Sequence, residues 1–215
     1  MSIPTISPYS MPDRSELPGD VVDWRPSANR AALLIHDMQN FFVNFFPEAQ
    51  SPRTHLLDNV VRLRRRCAEL GIPVWYTAQP GRMTAEQRGL LKDIWGPGMT
   101  SGPEDAAIVT VLSPGKDDRV LTKWRYSAFH GSALLEELAE RERDQLIICG
   151  VYAHVGCLAT ATDAYANDIQ PFLVSDAIAD FTLEYHRLAI SYASRLCAAT
   201  PETDTVLADL SSTAT

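Results

Sequence analysis

The sequence predicts an α/β fold: a single doubly wound, Rossmann-like domain with a parallel sheet of about six strands flanked by helices. Short apolar runs alternate with stretches of helical periodicity, which is typical of parallel strands joined by helices. The chain has 215 residues, of which 46% are hydrophobic, enough for one domain with a full core. We place this domain at residues 30–215, after a proline-punctuated N-terminal arm at residues 1–29.

Each predicted element has a local reason in the sequence. The apolar runs predict strands at about residues 31–36, 72–77, 119–122, 145–149, 171–174 and 196–200. A leucine-rich stripe predicts a helix over about residues 54–70, which Gly71 is placed to end. Further helices are predicted over about residues 84–94, from a cap at Ser132, and over about residues 154–166 and 184–195.

The net charge and the cysteines indicate which partners the protein binds and where in the cell we expect it. The net charge of −8 disfavours nucleic acid and anionic membranes as partners. The four cysteines form no C-x-x-C pair, and the arm lacks the basic start and apolar centre of a signal peptide. No apolar run approaches the roughly 18 residues of a membrane helix. We therefore expect reduced thiols in a cytoplasmic protein.

Chemically capable residues follow the ends of four predicted strands. These are Asp37, Gln79, Lys123 and the turn that contains Tyr152. Because ligands bind at the carboxyl ends of parallel strands, we expect these residues to converge on one cleft. An apolar wall would keep Asp37 protonated, whereas Lys123 would ionise it, and the sequence alone leaves both states open.

The turn after the fourth strand permits two interpretations. Gly150 and Gly156 would let backbone amides approach an anion at the helix N-terminus, although an ordinary strand-to-helix turn explains them equally well. Cys157 lies where a helix would acidify a thiol, but a small buried side chain is the simpler explanation.

The sequence gives no support for a metal or a cofactor. The five histidines show no metal-ligand spacing, and no glycine-rich phosphate loop follows the first strand. We therefore expect neither. Aromatic residues near the strand ends could wall an apolar pocket, and Arg88 and Arg125 could bind carboxylates, although each alone is more often core or surface.

Six segments together resemble the isochorismatase family over about residues 3–200. They are LIHDMQ (34–39), YTAQP (76–80), WGPG (95–98), KWRYSAF (123–129), GVYAHVG (150–156) and DAIADF (176–181). The resemblance implies that residues 30–215 are an isochorismatase-like hydrolase domain. The wider family includes cysteine hydrolases that use an Asp, a Lys and a Cys, and here Asp37 and Lys123 match the first two.

The nucleophile position of those hydrolases corresponds here to Gly156 and not to Cys157. This departure favours the branch that hydrolyses a vinyl ether without a covalent intermediate. The substrate implied is isochorismate or 2-amino-2-deoxyisochorismate, which yields pyruvate and a dihydro-dihydroxybenzoate or a dihydro-hydroxyanthranilate. Segments 83–93 and 167–172 resemble the phenazine-pathway enzymes, whereas Gly156-Cys157 resembles the siderophore enzymes. From the two longer segments we expect the amino substrate.

The resemblance also implies a role for each site residue. Asp37 would be the general acid, with Lys123 orienting it and binding carboxylate. Gln79, Arg88 and Tyr152 would hydrogen-bond the dicarboxylate substrate, and Gly156 would offer its amide. The ring would be walled by Phe42, Trp95, Tyr126 and Phe181. The family further suggests a cis peptide between Val151 and Tyr152, and a homodimer.

Two rival functions differ in their predicted chemistry. A cysteine amidohydrolase of the nicotinamidase type would use Cys157 as its nucleophile and would be inactivated by iodoacetamide. A non-catalytic binding protein on the same scaffold would bind the ethers without releasing pyruvate, although the presence of both Asp37 and Lys123 argues against it.

Overall fold

The computed structural model describes residues 3–212 and contains a five-stranded parallel sheet in the order β3-β2-β1-β4-β5. The strands are β1 (Ala31–His36), β2 (Val74–Ala78), β3 (Arg119–Thr122), β4 (Gln145–Val151) and β5 (Gln170–Ala179). The first strand is central and pairs with β2 on one side and β4 on the other. The α/β class is thus confirmed.

The predicted sixth strand is wrong, because residues 196–200 form only an isolated bridge between Ala199 and Phe172. The preceding helix runs through Leu196, and Cys197 is not extended, so pairing starts late. Pro201, which has no N–H to donate, ends it. The fifth strand is longer than predicted, because an irregularity between Ile148 and Gly150 lets its second half pair with the end of β4.

Nine α-helices connect and flank the strands in the described residues. They are α1 (Asn40–Val43), α2 (Arg53–Glu69), α3 (Ala85–Arg88), α4 (Leu91–Trp95), α5 (Pro103–Ala106), α6 (Leu134–Glu140), α7 (Leu158–Ala166), α8 (Leu183–Leu196) and α9 (Thr203–Ser212). Short 3-10 turns lie at Arg14–Glu16 and Thr110–Leu112, and a π-helical turn lies at Ala153–Cys157. The single helix predicted over residues 84–94 is two helices, because Gly89 has a φ of +50°.

The alternation of side chains along the central strand divides the core into two layers. Leu33 and Ile35 point into the layer covered by α2 and α9, whereas Ala32 and Leu34 point into the layer covered by α6, α7 and α8. Both faces of the sheet are therefore buried, which explains why the strands are continuous apolar runs. No helix among residues 3–212 is long and apolar enough to cross a membrane.

The N-terminal arm is bound to the domain at several points. Ile6 is buried in the core, and Arg14 donates to the Thr200 carbonyl oxygen at 3.0 Å. The Tyr9 hydroxyl accepts a hydrogen bond from the Asp180 amide at 2.8 Å, just after the end of β5. The arm therefore reaches the edge of the sheet where the strands end.

Candidate active site

The carboxyl edge of the sheet holds a cavity of about 290 Å³. Asp37 enters it after β1, Gln79 after β2, and Lys123 after β3. The candidate thiol Cys157 does not line this cavity, whereas the residues to which the resemblance assigns a role all do: Asp37, Phe42, Gln79, Arg88, Trp95, Lys123, Tyr126, Val151, Tyr152, Gly156 and Phe181. The convergence expected from a parallel sheet is therefore present.

Asp37 is held by donors on several sides. The Lys123 ammonium lies 2.9 Å from its Oδ2 atom, and the Gln79 amide nitrogen lies 3.2 Å from the same oxygen. The Thr77 hydroxyl donates to Oδ1 at 2.5 Å and also accepts a hydrogen bond from the Asp37 amide. Asp37 has a φ of +50°, a region that aspartate tolerates better than most residues. The backbone and the side chain are thus both fixed.

The structure favours the ionised form of the two protonation states that the sequence leaves open. Burial raises the pKa of Asp37, which is 4% exposed, but the charge of Lys123 and the hydrogen bond from Thr77 outweigh it. The pKa of Asp37 therefore lies below its usual range. Burial also lowers the pKa of His36 to about 4, so this neighbour is neutral at pH 7. The resting site contains an aspartate–lysine ion pair.

Gln79 links this ion pair to a buried guanidinium. Its amide nitrogen donates to Asp37, and its amide oxygen accepts from Nη1 of Arg88 at 3.2 Å. Arg88 also donates from Nε to the Gly96 carbonyl oxygen, and it has no acidic partner among residues 3–212. A buried cation without a counter-ion in the protein is suited to bind an anionic ligand.

Aromatic rings close the other side of the cavity. Trp95 donates from its indole nitrogen to the Tyr126 hydroxyl at 2.7 Å, which fixes both side chains. The Phe181 ring lies 4.4 Å from that of Tyr152 and 5.7 Å from that of Trp95, between centroids. These rings form an apolar wall against which a ligand ring could pack.

The turn after β4 differs from the expected donor site. The peptide between Val151 and Tyr152 is cis, the bond that the resemblance singles out. The Tyr152 hydroxyl already donates to the Phe42 carbonyl oxygen at 2.9 Å. The Gly156 amide, expected to face a ligand, instead donates to the Tyr152 carbonyl oxygen at 3.1 Å. The same oxygen accepts from the Cys157 amide at 3.2 Å, the five-residue bond of the π-helical turn. The Tyr152 hydroxyl and the Gly156 amide are thus less available as donors than the sequence suggested.

Cys157 is unsuited to nucleophilic attack. Its side chain is fully buried, and burial raises the pKa of its thiol well above the usual value. Cys67, Cys149 and Cys197 are also buried and unpaired. A buried thiol that resists ionisation cannot supply the reactive thiolate. No group of His, Cys, Asp and Glu side chains within residues 3–212 is arranged to hold a metal ion.

Sequence reasoning missed several side chains that complete the site. Thr77 lies inside the second strand run, where its polarity among apolar neighbours was the available signal. His36, examined only as a metal ligand, lines the cavity beside Asp37. Ile3 reaches the cavity from the arm, a long-range contact that no local pattern could have indicated.

The comparisons with known proteins agree with this geometry. The family model "Isochorismatase domain" matches residues 31–205. The chain is 54% identical over 210 residues to the isochorismatase of Bacillus subtilis (strain 168), covering 98% of this chain and 67% of that protein. It is 55% identical over 205 residues to the phenazine biosynthesis protein PhzD1 of Pseudomonas aeruginosa, covering 95% of this chain and 98% of that protein.

A solved structure shares the fold at lower sequence identity. The crystal structure of a cysteine hydrolase from Pseudomonas syringae pv. phaseolicola 1448A matches with a TM-score of 0.79 and 21% identity, covering 89% of this chain and 97% of that chain. Together with the family match, the parallel sheet flanked by helices defines a hydrolase of the isochorismatase type. The chain belongs to the isochorismatase family of hydrolases.

Proposed function

We propose that this protein hydrolyses the enolpyruvyl ether of isochorismate or 2-amino-2-deoxyisochorismate and releases pyruvate. The observation that carries the proposal is the buried contact of 2.9 Å between Lys123 and Asp37 in an aromatic-walled cavity. Glycine occupies position 156, and Cys157 is buried beneath the turn. The site therefore offers a carboxyl group and cations without an accessible nucleophilic thiol.

The reaction follows from the chemistry of vinyl ethers. Asp37 donates a proton to the terminal CH2 carbon, and the adjacent carbon becomes an oxocarbenium ion. Water adds to that carbon and gives up a proton, which restores the acid. The resulting hemiketal collapses with transfer of a proton to the ring oxygen, so that pyruvate and the ring alcohol leave. Overall, one ether and one water become two products, and no covalent intermediate with the protein forms.

The resting ion pair must gain a proton before this step. Two carboxylates entering the cavity bring negative charge close to Asp37, and negative charge raises the pKa of a neighbouring carboxyl. A substrate carboxylate also competes with Asp37 for the ammonium of Lys123. We infer that substrate binding itself converts Asp37 into its protonated form. Asp37 is therefore an acid only while the substrate is bound.

The experiment is a pyruvate-release assay with purified isochorismate and its 2-amino analogue side by side. We expect turnover of at least one ether, with the amino substrate preferred because segments 83–93 and 167–172 resemble the phenazine-pathway enzymes. Nicotinamide is the control substrate and should release no ammonia. Tight binding of both ethers without pyruvate would instead identify a binding protein.

We also propose a cytoplasmic homodimer. The observation that supports a dimer is an apolar stripe on the surface of α8. It is formed by the exposed side chains of Tyr185, Leu188, Tyr192 and Leu196. Residues three and four apart share one helix face, so a second copy could cover all four. We expect Leu188→Glu to lower the mass measured by light scattering from dimer to monomer. Val111→Glu, at an exposed apolar residue on the Thr110–Leu112 turn, is the matched control and should stay dimeric.

A further inference from the structure

The charges that line the cavity do not balance. Four charged side chains line it: Asp37, Arg88, Lys123 and Arg125. Lys123 and Asp37 neutralise each other at 2.9 Å. Neither guanidinium has an acidic partner within 4.0 Å among the residues that the structure describes. The cavity thus carries two uncompensated positive charges, which is the complement of a ligand with two carboxylates.

Arg125 retains an edge that can bind a carboxylate. Its Nη1 atom donates to the main-chain carbonyl oxygens of Gln87 and Trp124, at 2.9 and 2.6 Å. Its Nε and Nη2 atoms have no hydrogen-bond partner in the described part of the chain. These two atoms form one side of the planar fork that holds a carboxylate through two parallel hydrogen bonds.

Both guanidiniums lie against glycines. A Cβ atom at Gly89 would lie 2.8 Å from Nη2 of Arg125, and one at Gly98 would lie 2.9 Å from Cζ of Arg88. Both glycines have positive φ angles, which other residues rarely adopt. Both arginines line the same cavity, and burial lowers the pKa of Arg88. Their pairing in one cavity is a feature of the fold that a dianion would stabilise.

We infer that Arg125 binds the ring carboxylate of the substrate, which leaves the enolpyruvyl carboxylate to Arg88, the arginine to which the resemblance already assigns a substrate contact. This inference rests on the proposed function. Arg88 connects to Asp37 through Gln79 alone, and the enolpyruvyl carboxylate sits on the carbon next to the CH2 that receives the proton. Arg125 is held by Gln87 and, among the described residues, has no hydrogen bond to Asp37, Gln79 or Arg88. It is therefore free to take the carboxylate that the Asp37 network does not hold. Arg125 thus determines specificity for a ring that bears a carboxylate.

The test compares two substrates and three variants. The substrates are isochorismate and an enolpyruvyl ether of the same ring without its carboxylate. For isochorismate, Arg125→Met should raise KM roughly 10- to 100-fold with little change in kcat, the effect of losing a charge-assisted hydrogen bond. Arg125→Lys keeps the charge but not the planar guanidinium, so its KM for isochorismate should lie between those of the wild type and Arg125→Met. For the ether without the ring carboxylate, neither variant should change KM. The control Arg65→Met, at an exposed arginine on α2, should behave like the wild type.

Each outcome separates this inference from the proposed function. Unchanged KM for isochorismate in Arg125→Met, or an equal rise for both ethers, overturns the role of Arg125 while leaving the hydrolase intact. If the wild type releases no pyruvate, calorimetric binding of isochorismate to the wild type and to Arg125→Met decides. Weaker binding by the variant supports the inference although the proposed function fails, and equal binding or none overturns it. A melting temperature close to that of the wild type excludes misfolding as the cause.

Discussion

The imidazole ring of His36 occupies the space into which a side chain at position 156 would project. A Cβ atom built on Gly156 would overlap this ring, which is fully buried. The Nδ1 atom of His36 lies 2.8 Å from the carbonyl oxygen of Val151, which can only accept, so the ring hydrogen belongs on Nδ1. The same histidine thus fixes the turn after β4 and leaves no room for a nucleophile there.

Gly156→Ala should lower the free energy of unfolding by about 1–3 kcal/mol, the usual effect of overpacking a core. It should also reduce pyruvate release, because displacing His36 disturbs the neighbouring Asp37. Chemical denaturation and the pyruvate assay measure the two effects. The control is Gly19→Ala, where a Cβ atom meets nothing within 4 Å. Equal stability of the two variants would show that the ring moves aside freely.

Asp37→Asn should reduce pyruvate release at least about a thousandfold, because an amide keeps the shape but has no acidic proton. Cys157→Ala should retain most of the activity, since this thiol is buried and the mechanism does not use it. The wild type should also resist iodoacetamide, because all four cysteines are buried. If Asp37→Asn is active and Cys157→Ala is inactive, the acid mechanism is wrong and thiol catalysis is the correct interpretation.

The pH profile should report the lowered pKa of Asp37 in the free enzyme. Since only the protonated form is an acid, kcat/KM should fall about tenfold per pH unit between about pH 5 and 8. In the enzyme–substrate complex the substrate raises the pKa of Asp37, so kcat should stay constant up to a higher pH than kcat/KM does. The profile is measured by initial rates in buffers of constant ionic strength. A rise in kcat/KM towards alkaline pH would indicate a base or a thiolate instead.

Protein stability should decrease on mild acidification because of two buried histidines. Burial lowers the pKa of both His36 and His186 to about 4, from 6.5 in the unfolded chain. Below pH 6.5 the unfolded state therefore binds more protons, so this stabilisation is complete above pH 6.5 and is lost towards pH 4. For each histidine, this difference in pKa makes the free energy of unfolding roughly 3 kcal/mol higher above pH 6.5 than well below pH 4.

The measurement is the urea midpoint between pH 7 and pH 4. His186→Gln should flatten the decline, because glutamine cannot gain a proton but can still donate to the Ser175 carbonyl oxygen that the ring contacts at 2.9 Å. A midpoint that stays constant down to pH 4 would show that the buried histidines do not control stability.

The positions of the site residues could be predicted because they depend on a local pattern. An apolar run that stops at a polar residue identifies both a strand and its end, and parallel strands end at one edge. Asp37, Gln79 and Lys123 therefore converge as expected. The ionisation of Asp37 could not be predicted, because it depends on whether a cation lies at 3 Å or at 6 Å, and sequence spacing does not contain that distance.

Other features depend on backbone conformations that composition does not determine. Gly89 ends a helix that periodicity alone would continue. The amide of Gly156 is used within a π-helical turn, although a glycine there suggests an exposed donor. The segment before Pro201 pairs with β5 too briefly to form a strand. Each outcome depends on the dihedral angles or the hydrogen bonds of single residues, which hydrophobic periodicity does not specify.

The lining of the cavity runs from Ile3 to Phe181, and the hydrogen bond between Tyr9 and Asp180 joins residues 171 positions apart. Contacts at such separation must overcome the entropy of closing a long loop, so they slow folding. During synthesis, a nascent chain that ends before Phe181 lacks a complete cavity, whatever its earlier strands have formed. Most of the polypeptide must therefore leave the ribosome before the molecule can bind its substrate.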